Sequence, residues 1–157
     1  MDARPPTLAR CMVVGGAGCV IVGGLVAAVT GPLGLAKGSW LAAYLVLVCG
    51  VGTYVIGTMQ GRPGAPPMPR AWGLAQLGCW CLGNAAVIVG SLAAVAVVVD
   101  VGAALLVIAL AVALADALRG ERPSGSRMVG WAYRGLLVVL MISTPVGAVL
   151  AHLREGG

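Results

Sequence analysis

"AWGLAQLGCWCLGNAAVIVGSLAAVAVVVDVGAALLVIALAVALADAL", Ala71 to Leu118, is a nearly unbroken apolar run of 48 residues. As one helix it would be about 70 Å long, over twice the ~30 Å hydrocarbon thickness of a bilayer. It must therefore fold back on itself. Asp100 is the only charge in its middle. An aspartate suits a helix N-terminus, where its side chain caps and the helix dipole favours it. This reading predicts a tight turn at 98–101 between two spans, Trp72–Val97 and Val101–Leu118.

Working outward, three further apolar runs are long enough to cross a bilayer. The first is Cys11–Val29, ended by "TGP" at Thr30–Pro32, because proline does not continue a helix. The second is Trp40–Met59. "QGRPGAPPMPR", Gln60–Arg70, separates it from the opening run, and "RGERPSGSR", Arg119–Arg127, follows that run. The last span is Val129–Ala151, with an expected kink at "STP", Ser143–Pro145, a bend that membrane helices tolerate. The N-terminal "MDARPPTLAR" precedes a run too long for a signal peptide and without a small-x-small cleavage site, so it reads as leading into a retained span.

Composition agrees with an integral membrane chain. Of 157 residues 60% are hydrophobic and 10% charged, with a mean hydropathy of +1.01, whereas a soluble domain has about a quarter of its residues charged. The longest polar segment is too short to bury a core, so no soluble domain is expected. Nine Arg against one Lys, no Phe, and abundant Ala, Gly and Val point to a GC-rich genome and a bacterial source. The net charge of +5 is spread over loops without interleaved aromatics, which excludes nucleic acid as a partner.

The arginines set an expected topology. With the N-terminus cytoplasmic, Arg4, Arg10, Arg62, Arg70, Arg119, Arg122, Arg127 and Arg134 lie inside, and only Lys37 and Arg154 lie outside. This is a positive-inside distribution. Trp72, Trp131 and Tyr133 then fall at the inner interface and Trp40 at the outer one, as an aromatic belt requires. The expected fold is all-α, an integral membrane bundle of five transmembrane helices with the C-terminus outside, in a bacterial plasma membrane.

Candidate chemistry is sparse. Cys79 and Cys81 in "LGCWCLGN" stand two apart, about 200° around a helix, so they neither pair as a disulfide nor face one metal. Packing is their expected role, with thiol redox chemistry or a metal as the alternatives. Trp80 between them is expected to turn toward lipid or a neighbour. Gly16 and Gly23, Gly50 and Gly57, and Gly83 and Gly90 recur at spacings of seven, which places each pair on one face and suits close helix packing. Gln76 and Asn84 share a face of the third span. Buried amides must be paired, so they read as interhelical contacts or as the lining of a polar path. Asp116, Arg119 and Arg134 read as an ion-paired pin between helix ends, because ionisable groups in spans are costly unless paired. A relay would need a further acid or histidine across the membrane, and the lone His152 sits at the outer end. No phosphate loop, zinc-binding helix or catalytic triad occurs, so no catalytic, cofactor-binding or metal residue is assigned and no cofactor is expected.

"KGSWLAAYLVLVCGVG", Lys37–Gly52, resembles a run in small, mostly uncharacterised polytopic membrane proteins of actinobacteria. The resemblance covers sixteen residues. It implies a polytopic membrane fold. In those proteins a histidine often stands where Lys37 does, in a context similar to histidine-bearing spans of respiratory haem proteins. A charged lysine cannot ligate haem, so the departure argues against a haem role and no functional residue is carried over.

The sequence therefore predicts a small non-enzymatic protein. Its expected role is an accessory subunit or helix-packing partner in a membrane assembly, with the lipid bilayer and another membrane protein or a second copy as partners. A small oligomeric transporter or channel lined by Gln76 and Asn84, with Asp116 and Arg134 at its mouth, is the second reading. A thiol-dependent membrane oxidoreductase is the third.

Overall fold

The computed structural model describes the backbone of residues 7–62, 68–119 and 127–155, and the side chains of 8–62, 68–119 and 128–143. The described chain is all-α: α1 (Thr7–Thr30), α2 (Gly38–Tyr44), a π-helical stretch (Leu45–Gly52), α3 (Thr53–Gln60), α4 (Arg70–Ala93), α5 (Ala96–Arg119) and α6 (Arg127–Glu155). Leu8–Thr30, Gly38–Gln60, Arg70–Ala93 and Ala96–Arg119 are long and apolar enough to cross a membrane, and Met128–Ser143 is a shorter apolar stretch of α6. The backbone of α6 is helical through Glu155. The expected contributions of Pro145, His152 and Arg154 fall outside the described side chains. The chain divides into two compact units, Met1–Ala65 and Pro66–Gly157.

In the first unit α1 packs antiparallel against α2, the π stretch and α3. The chain reverses through Gly34, whose φ of 59° lies in the left-handed region. The Leu35 N–H then reaches back to the Thr30 carbonyl at 3.1 Å, the closure that ends many helices at a glycine. The π stretch lies in the middle of the second span, where the sequence suggests an ordinary α-helix. Its physical reason is register. The ideal Cβ of Gly57 would meet Met12, and that of Gly38 would meet Thr30. From Met12 to Thr30 is eighteen residues and from Gly38 to Gly57 nineteen. A wider π turn absorbs about one surplus residue and keeps Gly50 and Gly57 both facing α1.

In the second unit α5 packs against both α4 and α6. The turn in the long apolar run lies at Ala94–Val95, not at the expected 98–101. The Val95 N–H bonds the Gly90 carbonyl at 2.9 Å and Ala94 has a φ of 55°. Asp100 consequently sits inside α5 rather than in the turn. The reason is side-chain size. A reversal at 94–95 sets Val99 against Gly90, Val87 against Gly102 and Leu106 against Gly83. The same register levels Trp80 with Ala109 and Gln76 with Ala113, all four of them buried. Every level pairs a large side chain with a small one, and the 3–4 alternation of these positions is that of antiparallel helices wound at a small angle.

Ala94 occupies a conformation that costs an L-residue with a Cβ roughly 1–2 kcal/mol and glycine almost nothing. Ala94→Gly is expected to stabilise the second unit by about 1 kcal/mol. A raised unfolding midpoint of the whole chain in mild detergent checks this, and an unchanged or lowered midpoint would contradict it.

Candidate functional site

The six heptad-spaced glycines all stand where two helices approach most closely. A Cβ on Gly16 would lie 2.6 Å from the Tyr54 amide nitrogen and 2.8 Å from the Gly50 carbonyl oxygen. On Gly23 it would lie 2.7 Å from a Val46 methyl and 3.1 Å from the Ala42 carbonyl oxygen. Gly50 and Gly57 meet Val20, Met12 and the Ala9 carbonyl from the other side. Gly83 and Gly90 meet Leu106, the Gly102 carbonyl and Val99. By contrast Gly15, Gly18, Gly24 and Gly78 have nothing within 4 Å of that position. The glycine faces are thus occupied within the chain's own hairpins.

Gln76 and Asn84 are 3% and 6% exposed. Both belong to the face of α4 that carries Trp80, Gly83 and Val87. The Asn84 Nδ2 donates to the Trp80 carbonyl at 2.8 Å. This bond runs back along its own helix, a local solution for an amide in an apolar contact. The α4–α5 contact sets both amides on the face of α4 that packs against α5, with Gln76 level with Ala113.

Asp116 and Arg134 stand at the far end of the unit. The Arg134 Nη2 donates to the Ala117 carbonyl at 3.0 Å, from α6 to the last turn of α5. Carbonyls in a last turn lack helical partners and carry the negative end of the dipole, so a guanidinium is favoured there. Arg119 lies in the same last turn. The pin between the two helices is therefore made to backbone, where the sequence suggests a carboxylate.

Trp80 is buried between Cys79, which is half-buried, and Cys81, which is exposed. Of its two expected environments, Trp80 has the neighbouring helix. Cys11 is exposed, Cys19 half-buried and Cys49 buried in the π stretch. Among the described residues no three His, Cys, Asp or Glu side chains gather as metal ligands.

Three features were not read from the sequence. Tyr133, expected in the interfacial belt, is buried, and its hydroxyl has no hydrogen-bond partner among the described residues. The Tyr44 hydroxyl is likewise enclosed, with its ring stacked on Trp40 at 5.4 Å between centroids and 25° between planes. The third is the π stretch itself. Trp40–Tyr44 has the four-residue spacing that brings helical neighbours into contact, a signal available in the sequence. Tyr133 and Leu137 repeat that spacing on the face of α6 that is buried.

Comparison with protein-family models, curated proteins and solved structures finds no match.

Proposed function

We propose that this chain is a multi-pass membrane protein with five transmembrane helices and a cytoplasmic N-terminus. It acts without catalysis as an accessory subunit of a larger membrane assembly. The observation that carries the reading is where its apolar surface lies. Both hairpins close their glycine faces internally, and large apolar side chains still point outward along their length. Val14, Ile21, Leu82, Val97 and Val139 are all more than half exposed. In water such surface would be an aggregation liability, whereas lipid tails and the helices of a partner cover it without cost. The arginine distribution supports the orientation. The placement of Gln76 and Asn84 in a tight helix contact supports a packing role over a polar path.

The contact surface for a partner is then the outward faces, not the glycine rows. Native mass spectrometry of the chain, extracted in mild detergent from its own membranes, tests this. The expected particle contains a second kind of polypeptide. A particle of this chain alone, or of its multiples, would remove the accessory role and favour an oligomeric transporter, which flux measurements in proteoliposomes would then address.

A further inference from the structure

We infer that the paired ends of α5 and α6 form a binding site for the phosphate headgroup of an anionic phospholipid, an inference that rests on the membrane reading above. It begins with a positive charge in excess among the described residues. Arg134 stands about two turns inside α6, and its described bond runs to the neutral carbonyl of Ala117. That bond fixes the guanidinium, and the α5 dipole offsets only part of its charge. The nearest acid on α5, Asp116, has Arg119 three residues on, one turn along the same helix. Of the three charged side chains described on these two helix ends, Asp116, Arg119 and Arg134, one positive charge is therefore in surplus. A surplus cation at this depth in a bilayer is expensive unless an anion joins it.

The surroundings have the shape that a lipid needs. Met128, Trp131 and Arg134 follow one another at three-residue spacing and so lie along one stripe of α6. Met128 is 77% and Trp131 73% exposed, and Leu118 on α5 is 61% exposed. An exposed tryptophan and two exposed apolar side chains beside the surplus guanidinium offer contact to glycerol and acyl chains. A soluble anion would use none of them. Arginine's planar fork suits a phosphate, and basic sites between helix ends at the cytoplasmic face are suited to anionic headgroups.

The test uses the full chain in mild detergent, titrated with phosphatidylglycerol or phosphatidylcholine. Bound lipid is counted by native mass spectrometry, and the unfolding midpoint is followed in parallel. Phosphatidylglycerol is expected to bind at least about fivefold more tightly, the factor that one basic residue near an anionic surface contributes. Arg134→Gln should bring the two lipids to parity. Arg134→Lys, which keeps the charge and loses the fork, should retain part of the preference. Arg119→Gln, at an exposed side chain, should reduce it without loss of fold. Equal binding of the two lipids by the unaltered chain, or an undiminished preference in both Arg119→Gln and Arg134→Lys, would overturn the site while leaving the membrane reading intact. Displacement of phosphatidylglycerol by millimolar inorganic phosphate would assign the site to a soluble anion instead. Failure of the chain to enter bilayers would overturn both the site and the reading beneath it.

Discussion

Gly102→Leu is expected to prevent α4 and α5 from closing, whereas Gly78→Leu leaves the hairpin intact. A Cβ at Gly102 would lie 2.8 Å from the Gly83 carbonyl oxygen and 2.8 Å from the Val87 amide nitrogen. Neither obstacle is a side chain that can rotate away. Both belong to the backbone of α4, so the helices must separate, and every large-on-small pair along the seam loses contact with them. Overpacking of a single site costs about 1–3 kcal/mol where neighbouring side chains can shift; here the cost should be at least about 3 kcal/mol, because the neighbours cannot. Gly78 is the control, since it lies in the same hairpin, on α4, and has nothing within 4 Å. Both substitutions relieve the same helix-interior glycine penalty, so the difference between them isolates the contact. Equilibrium unfolding of the two variants in the same detergent measures it. Equal midpoints would mean that the α4–α5 register described above is wrong. Gly83→Leu should resemble Gly102→Leu, with a smaller loss where Leu106 can turn aside.

This register also explains what the sequence made legible and what it concealed. The helical class, the four long apolar helices and the heptad glycines are all local properties, carried by composition and spacing. The turn is not local. Asp100 suggests itself because a carboxylate inside an apolar run is costly and belongs near a helix end. Yet Asp100 is only half-buried where it stands in α5, so that argument is weak against five levels of packing. The decisive signal was the complementarity of size between Gln76–Gly90 and Val99–Ala113, which appears only when the run is folded about 94–95 and compared with itself. Tyr133 misleads for a related reason. A tyrosine near a span end suits the interface, but the face it occupies is fixed by Leu137 one turn further on, and that face is the buried one. The Arg134 acceptor was concealed because a backbone carbonyl has no letter of its own in a sequence. Asp116 was the visible candidate.

Removing one residue from the π stretch should be tolerated, while removing one from α1 should not. Deletion of Leu47, which is 62% exposed, takes away the surplus that the wide turn accommodates. The second span can then become α-helical throughout while Gly57 still meets Met12 and Gly38 still meets Thr30. Deletion of Val22, which is 50% exposed on α1, has no such reserve. It rotates one half of the helix about 100° relative to the other and swings either Gly16 or Gly23 away from the second span, bringing side chains against the Gly50 and Ala42 backbone instead. The expected loss is several kcal/mol, of the order seen when a packed core is replaced by mismatched volume (about 2–5 kcal/mol). Unfolding midpoints of the two deletions decide the matter, and equal losses would show that the π stretch is not the absorber of a surplus residue. The contrast also bears on why such a stretch persists. A π turn forfeits regular α-helical geometry and is rare for that reason. If the chain without Leu47 is at least as stable as the full chain, stability does not account for the extra residue, and its consequence lies in what the turn presents. Cys49, Gly50 and Gly52 are buried within it and the enclosed Tyr44 hydroxyl stands at its start. Loss of the heteromeric particle on deletion of Leu47, with the fold retained, would then place the π stretch in assembly.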